Sequence, residues 1–382
     1  MDFDLSEEQS ILKDSLDRLL ADKYDFETRK KHMAAPEGWS QDMWQAYADM
    51  GLLALPFAED DGGLGGSAVE TMIVMESLGR ALALEPYFTT AVLGGGFVRL
   101  GGDDDQRCEL VPAIADGSLK FAFGHTERQS RYDLHHVETT AKKSGDTYVL
   151  SGAKSVVLHG DSADRIIVTA RTAGGTREEG GVGVFVVDAG AAGVSRRGYP
   201  TQDGQRAADV VLDNVEVPAS MVLGDPENGM PLVRQVVDTA IAALAAESVG
   251  VMGAMHELTV DYLKVRKQFG VPIGAFQVLQ HKAVDMFVAI EQARSITLYA
   301  TMMADSDDAE ERGRAMNAAK AEIGRGGRLV GENAIQLHGG VGMTMEYAVG
   351  HYFKRMTMID TLFGDSGHHM RLLAEKGGLF AA

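Results

Sequence analysis

The stretch at residues 262–273 reads YLKVRKQFGVPI, and Phe276 and Gln277 follow it closely. A long helical pattern leads into this stretch and ends near Arg266. The guanidinium of Arg266 is a planar, permanently charged fork that suits a phosphate. Taken alone, the stretch is explained more simply by an arginine that caps a helix.

A second stretch, QLHGGVG, occupies residues 336–342. Gly339 and Gly340 would let the backbone approach a pyrophosphate closely, with its amide donors exposed. Gln336 and Gln277 add neutral hydrogen-bonding groups for an adenine, a ribose or an amide. By itself, this stretch is explained more simply by a tight turn between helices.

Around these two stretches, the chain from about residue 230 to residue 379 has a helical pattern. Three long apolar-rich segments stand out, at residues 232–266, 275–304 and 309–337. Long helices of this kind pack as an antiparallel bundle.

Upstream, between about residues 120 and 228, the period of the apolar pattern shortens to two. The clearest strand-like runs are residues 147–150, 165–169, 183–187 and 208–212. No helical stretch separates them, whereas a parallel dinucleotide-binding fold would need helical crossovers. We therefore predict a compact antiparallel β domain.

The first part of the chain, from Leu5 to about residue 115, is helical in pattern. Ser6 and Gln9 have the spacing of a capping box at a helix start. Two glycine-rich breaks, at residues 61–66 and 94–96, are predicted to separate or punctuate further helices.

The composition narrows the range of functions. The 382 residues include 36 basic and 55 acidic side chains, a net charge of −19, which makes nucleic acids and anionic membrane surfaces poor partners. Cys108 is the one cysteine, so an internal disulfide framework and a multi-cysteine metal site are excluded. Neither a signal peptide nor an apolar run of about 18 residues is visible. We expect a soluble, cytoplasmic chain without a metal site.

In this order, the motifs resemble those of the acyl-CoA dehydrogenase family along almost the whole chain. The two stretches above are similar to that family's C-terminal signatures. Weaker matches are FDLSEEQ at residues 3–9, GLL at 51–53 with GGLG at 62–65, and VEVP at 215–218. The resemblance implies an N-terminal helical domain (1–119), a middle antiparallel β domain (120–228) and a C-terminal antiparallel helical bundle (229–382).

The resemblance also implies a cofactor and an assembly. Together, the two signature stretches favour FAD, and the family dehydrogenates acyl-CoA thioesters. In that family, the matching residues reach across a subunit interface to the neighbour's FAD; here they are Arg266, Phe269, Gln277, Gln336, Gly339 and Gly340. The chain would then be an obligate oligomer, such as a tetramer, and an electron-transferring flavoprotein would be its usual acceptor.

The sequence departs from the family where the flavin ring should lie against the chain's own β domain. The family motif resembles Thr-Glu-Pro-x-Ala-Gly-Ser-Asp, but residues 126–133 read TERQSRYD, with Arg131 and Tyr132 in place of the Gly-Ser pair. Further on, Val156 and Leu158 occupy the positions of a tryptophan and a threonine. Two bulky residues would crowd the flavin, and its aromatic wall and hydroxyl donor are missing.

The catalytic base of the family is missing as well. Phe363 stands where a Glu-Gly-Thr motif supplies a glutamate, and Ala240, followed by Ile241, stands at the second known base position. Glu247, two helical turns beyond Ala240, is a weak substitute candidate in an apolar run where burial would raise its pKa. A carboxylate that is simply paired with another helix is the alternative. Asp365 is a weaker candidate still, with the alternative role of a turn or helix-cap residue.

These departures predict a degenerate subunit of a heteromeric, α2β2 acyl-CoA dehydrogenase that lends residues to a partner's FAD. One rival hypothesis is a self-sufficient homotetramer that uses Glu247 as its base. Another is a binding or scaffold protein that has lost the flavin. The acyl group is not predicted.

Overall fold

The computed structural model describes residues 5–377 of the chain, so Phe3 and Asp4 of the opening motif and Leu379 lie outside the described residues. The α-helices are α1 (Glu7–Lys23), α2 (Phe26–Met33), α3 (Gln41–Asp49), α4 (Ala68–Ala81), α5 (Gly95–Gly101), α6 (Asp104–Ala115), α7 (Met230–Val265), α8 (Gln277–Ala304), α9 (Ala309–His338), α10 (Ala348–Thr361) and α11 (Ser366–Glu375). The strands are β1 (Phe121–Gly124), β2 (Thr140–Ser144), β3 (Thr147–Leu158), β4 (Arg165–Arg171), β5 (Val182–Asp188), β6 (Val194–Pro200), β7 (Arg206–Pro218), β8 (Val222–Leu223) and the short hairpin β9 (Lys267–Gln268) and β10 (Val271–Pro272).

These elements belong to two compact units. One contains the described residues up to 31, residues 68–83 and the described residues from 241 onward; the other contains residues 32–67 and 84–240. We call them the helical unit and the sheet unit. The predicted order of helical, β and helical segments is confirmed, whereas the predicted domain boundaries stay predictions.

The long helices α7, α8 and α9 follow the predicted segments to within a few residues. At the other end of the chain, the predicted capping box is present: the Ser6 hydroxyl accepts from the Gln9 amide at 3.2 Å, and the Gln9 side chain accepts from the Ser6 amide at 3.0 Å. Local signals, a side-chain cap and a sustained apolar period, therefore fix these helices.

The sheet is mixed, so the expectation of a purely antiparallel β domain is wrong. Its strand order is β6-β7-β3-β2-β4-β5-β8, and β1 lies beside β4. β1 and β2 both pair with β4 in parallel, while the other neighbours are antiparallel. A parallel pair needs a long connection, and between β1 and β4 the β2–β3 hairpin and its loops supply it instead of a helix.

One face of this sheet forms a continuous apolar core. Val157, Ile166 and Val187 are almost fully buried in it, and the rings of Tyr148 and Phe185 lie 5.1 Å apart. Alternation along β3 and β7 puts polar residues on the opposite face.

The glycine-rich break predicted at residues 94–96 is not a break. A π-helical stretch, Phe88–Gly94, runs directly into α5. A Cβ on Gly94 would lie 2.3 Å from the Cβ of Phe121, and one on Gly95 would lie 2.8 Å from the Cζ of Phe57. These glycines make room for aromatic side chains, so close packing explains them better than a turn does. The first break, at residues 61–66, does separate α3 from α4.

Two glycines define how α4 crosses α7 in the helical unit. A Cβ on Gly79 would lie 2.3 Å from the carbonyl oxygen of Glu247, and one on Gly250 would lie 2.0 Å from that of Glu76. Each helix thus presents a glycine to the backbone of the other. The two backbones approach more closely than any side chain would allow.

Within residues 5–377, α7 is the one helix long and apolar enough to cross a membrane, with a mean hydropathy of 1.5 over its most apolar window. The sequence expectation had found no such run. However, 83% of that window is buried inside the protein, which is typical of a core helix.

Candidate functional site

A pocket of about 680 Å³ opens in the helical unit, where α7 and α9 end and α8 begins. Four of the residues predicted to contact a cofactor line it together: Arg266, Gln336, Gly339 and Gly340. The structure thus brings the two signature stretches to one place, although 69 residues lie between Arg266 and Gln336 in the sequence. Neither stretch alone predicted this pocket.

The charge of this pocket differs from that of the chain. Among the residues described, its lining contains two side chains with permanent or near-permanent positive charge, Arg266 and Lys282, and no aspartate or glutamate. The remaining lining residues are Tyr262, Gln268, Ile273, Leu279, Gln336, Leu337, His338, Gly339, Gly340, Val341 and Thr344. In a chain of net charge −19, a pocket of this composition favours an anionic ligand.

The glycine pair leaves open space at the pocket. Gly339 ends α9 with a φ of +61°, a backbone conformation that glycine adopts at little cost. A Cβ placed on either Gly339 or Gly340 would meet nothing within 4 Å. The backbone is therefore exposed where a dinucleotide phosphate could approach it, and this feature fits the cofactor that the sequence implies.

Phe269 and Gln277, the other two predicted contacts, are not in the lining of this pocket. Phe269 lies in the turn between β9 and β10 and is 92% exposed, and its ring meets that of Phe276 edge-on at 6.1 Å. Gln277 is the exposed first residue of α8. An apolar ring this exposed suits a contact with another molecule better than a place in the core.

Sequence reasoning missed two features of the pocket, the packing of the His338 ring and the cation of Lys282. The ring of His338 lies 4.6 Å from that of Tyr262 and 5.0 Å from that of Tyr347. His338 is 2% exposed, its Nδ1 lies 2.8 Å from the carbonyl oxygen of Ala334, and burial lowers its pKa. Lys282, in the second turn of α8, could have been noticed as a cation close behind the signature.

In the sheet unit, the loop that follows β1 is built on a buried ion pair. Glu127 Oε1 accepts from Lys154 Nζ at 2.6 Å and from the Thr139 amide at 3.1 Å, while its Oε2 accepts from Gln129 Nε2 at 2.6 Å and from the Glu138 amide at 2.9 Å. Burial opposes ionisation of Glu127, but the charge of Lys154 and these hydrogen bonds outweigh it and hold its pKa at about 2. The ion pair and hydrogen bonds of Glu127 therefore fix the conformation of this loop.

The side chains on this loop are bulkier than the Gly-Ser pair that the resemblance implies beside a flavin ring. Arg131 is exposed, with its guanidinium 5.6 Å from the centre of the Tyr132 ring. Arg131 has a φ of +50° and Val156 a φ of +53°, values that favour glycine and disfavour a β-branched residue. The loop thus lacks the Gly-Ser pair that would let a flavin ring approach its backbone, in contrast to the open glycine pair of the helical unit.

Neither position of the family's base holds a group that takes a proton. Ala240 is fully buried, and Ile241 is 3% exposed. Phe363 lies between α10 and α11, where Asp365 is the N-cap of α11 and accepts from the His368 amide at 2.8 Å. The alternative role of Asp365, a helix cap, is confirmed.

Glu247 is paired with another helix. Its Oε1 accepts from Arg355 Nε at 2.6 Å and its Oε2 from Arg355 Nη2 at 2.8 Å, and both side chains are less than 9% exposed. This is the structural role that the sequence left open beside catalysis. The use of Glu247 as a base stays a hypothesis without support from this geometry.

The segment that carries Phe363 is fixed by a buried lysine. Lys320 of α9 donates to the carbonyl oxygens of Ile359 at 2.8 Å, Asp360 at 2.8 Å and Gly364 at 2.7 Å. His369 Nε2 lies 3.1 Å from the carbonyl oxygen of Phe363. Within residues 5–377, no group of three or more metal-binding side chains was found.

Lys320→Met is expected to destabilise the chain by about 2–4 kcal/mol, because three carbonyl oxygens between the end of α10 and the start of α11 lose the ammonium that donates to them. Amide hydrogen exchange between α10 and α11 should accelerate more than elsewhere, and the thermal unfolding temperature should fall. The exposed Lys264 provides a control, since Lys264→Met removes a charge without unpairing a buried group. Equal effects of the two substitutions would contradict the role given to Lys320.

Comparison with known proteins gives matches along nearly the whole chain. Three family models match consecutive segments: the N-terminal domain of acyl-CoA dehydrogenase at residues 6–118, the middle domain at 122–215 and the C-terminal domain at 227–378. The probable acyl-CoA dehydrogenase YngJ of Bacillus subtilis is 28% identical over 381 residues, covering 98% of this chain and 99% of the relative.

Solved structures give the same fold. A variant of the Tcur3481-Tcur3483 steroid ACAD is 29% identical, with a TM-score of 0.87 and coverage of 97% of both chains. A chain of the ChsE4-ChsE5 complex from Mycobacterium tuberculosis has a TM-score of 0.90 and full coverage of both chains at 22% identity, which shows the fold alone.

Proposed function

Because this chain belongs to the acyl-CoA dehydrogenase family, whose cofactor is FAD, we propose that it is the non-catalytic subunit of a two-component enzyme of that family. In this proposal, a partner subunit carries the catalytic base and the flavin-ring site. This chain supplies residues that bind the pyrophosphate part of the partner's FAD.

The observation that carries the proposal is the pocket beside Arg266. It combines a guanidinium, a glycine pair with open space in front of it and a lining without aspartate or glutamate among the described residues. Arg266 would bind the pyrophosphate as a fork, and the open space in front of Gly339 and Gly340 would let the pyrophosphate approach the backbone closely. Gln336 would offer a neutral hydrogen bond.

The residues at the family's own catalytic positions support this division of labour. Phe363 and Ala240 stand where the resemblance implies a base, and Arg131 and Tyr132 stand where it implies a Gly-Ser pair beside the flavin. When bound, FAD accepts the hydride of α,β-dehydrogenation while a carboxylate removes the α-proton. In this proposal, this chain supplies neither that carboxylate nor a complete site for the ring.

A heteromeric assembly is supported by one structural neighbour at 29% identity. Its name, Tcur3481-Tcur3483 steroid ACAD, joins two different components. An α2β2 tetramer, an acyl-CoA substrate, an electron-transferring flavoprotein as acceptor and a location in the cytoplasm complete the proposal. In this proposal, Phe269 and Gln277, which are both exposed, would contact the partner subunit or its cofactor.

The absorbance of the purified chain near the flavin bands tests the proposal. A colourless chain that becomes yellow and active only when a partner is co-expressed would support it. A yellow chain that an acyl-CoA bleaches would instead favour the self-sufficient homotetramer. Absence of FAD from every complex that contains the chain would favour the scaffold hypothesis.

Arg266→Ala is expected to weaken retention of FAD by the assembled complex about 10- to 100-fold, because one charge-assisted contact to phosphate is lost. Equilibrium dialysis with flavin fluorescence measures the dissociation constant. Arg328→Ala is a suitable control, since Arg328 is an exposed arginine of α9 paired with Glu332. The proposal is wrong if both variants hold FAD as tightly as the unmodified complex does.

A further inference from the structure

Lys282 lies in the same pocket as Arg266 but belongs to none of the motifs that identify the family. It projects from the second turn of α8 and is half-buried. Its Nζ donates to Asn333 Oδ1 of α9 at 2.9 Å. A lysine ammonium carries three N–H donors, so this bond uses one of them.

A pyrophosphate carries more charge than one arginine balances. Its two phosphates are both anionic, and Arg266 is the one other cation in the lining formed by the described residues. Lys264 is exposed, its Nζ lies 3.1 Å from Asp261 Oδ1, and it does not belong to the lining of the pocket. The charge of the rest of the chain opposes an anion, so local cations must supply the attraction.

We propose that Lys282 is a second phosphate-binding residue of this pocket and contacts the pyrophosphate of the dinucleotide together with Arg266. The proposal rests on the function proposed above, and it adds a residue that determines affinity for the anionic part of the cofactor. In it, Asn333 orients the ammonium by accepting one N–H, which leaves two N–H groups for phosphate oxygens.

A purely structural role would make a different prediction. If Lys282 only joins α8 to α9, then loss of the bond to Asn333 is the whole effect of its substitution. Asn333→Leu removes that bond and leaves the cation in place, whereas Lys282→Met removes both. The difference between these two variants isolates the charge.

The test uses the complex assembled with its partner and measures the dissociation constant of FAD at low and at raised salt. Lys282→Met is expected to weaken FAD binding about 10- to 100-fold and to reduce its dependence on salt. Lys282→Arg should restore most of the affinity. Asn333→Leu and the control Lys264→Met should stay within a few-fold of the unmodified complex. Thermal unfolding of each variant checks that it folds.

The outcomes separate this inference from the proposed function. If Arg266→Ala weakens FAD binding and Lys282→Met does not, Lys282 has no role in phosphate binding. The proposal that this chain contributes residues to the partner's FAD site would still hold. Equal losses in Lys282→Met and Asn333→Leu would also overturn the inference in favour of helix packing. If neither Arg266→Ala nor Lys282→Met has an effect, the proposed function fails with it.

Discussion

Glu247→Gln is expected to lower the free energy of unfolding by about 3–5 kcal/mol, because it removes the negative charge that pairs with the buried Arg355 guanidinium. Glu247 is 6% exposed and Arg355 is 4% exposed, so water has little access to compensate for the loss. The two parallel hydrogen bonds, of 2.6 Å and 2.8 Å, are reduced to one hydrogen bond from the guanidinium to an uncharged amide oxygen. Denaturant unfolding of the variant measures the change.

An exposed ion pair of the same helical unit gives the matched control. Arg80 and Glu257 form a two-point pair, but their side chains are 50% and 56% exposed. Glu257→Gln should therefore change stability by less than about 1 kcal/mol. If Glu247→Gln is no more destabilising than Glu257→Gln, the Glu247–Arg355 pair does not hold α7 to α10.

The same variant also tests the rival function of Glu247. If the residue were the base of a self-sufficient enzyme, Glu247→Gln would abolish oxidation of acyl-CoA at a temperature where the variant is folded. Because both carboxylate oxygens are bound to Arg355, we expect instead that activity of the assembled complex survives in the folded fraction. A folded variant that binds FAD but is inactive would restore the catalytic hypothesis.

Lys154→Met is expected to have an effect of similar size, about 3–5 kcal/mol, because the buried carboxylate of Glu127 loses its cation. Glu127 is 4% exposed and Lys154 is fully buried in the sheet unit. The destabilisation should appear in the loop after β1, which the Glu127 carboxylate organises through the amides of Glu138 and Thr139. Urea unfolding and amide hydrogen exchange measure the total and the local effect.

The dependence on pH distinguishes this mechanism from a simple packing defect. In the unmodified chain, the pKa of Glu127 is depressed to about 2 from its ordinary value of 4.5, so its contribution to stability is present above pH 4.5 and is lost as the pH falls toward 2. Without Lys154, burial dominates and raises the pKa of Glu127. The variant then gains stability as the pH falls through that raised value. The difference in free energy of unfolding between the variant and the unmodified chain therefore shrinks. A deficit that is the same at pH 7 and pH 4.5 would favour a packing defect.

Local sequence signals predicted the long helices well and β4 and β5 to within two residues, but they gave only part of β3 and β7. The apolar period of α7, α8 and α9 persists over many turns, and the Ser6–Gln9 capping box is contained within four residues. Such features depend on neighbours in the sequence. A reader of the sequence alone can therefore place them to within a few residues.

Features that depend on distant partners were missed or misjudged. The parallel pairing of β1 with β4 joins residues separated by a hairpin, and Gly94 and Gly95 are explained by Phe121 and Phe57, which are not their neighbours in sequence. Likewise, 108 residues separate Glu247 from Arg355, so the apolar run around Glu247 gave no indication of its partner. The motifs predicted four lining residues of the pocket, but Lys282 carries no motif and needed the structure.

The crossing of α4 and α7 has a consequence for how this chain tolerates change. Gly79 and Gly250 each lie against a carbonyl of the opposite helix, so the position of Glu247 along α7 is set by the absence of two side chains. An ordinary contact weakens when atoms are removed. This one fails only when atoms are added, and even alanine at either glycine would force the two helices apart. The most restrictive positions of the helical unit are thus the ones that present no side chain at all.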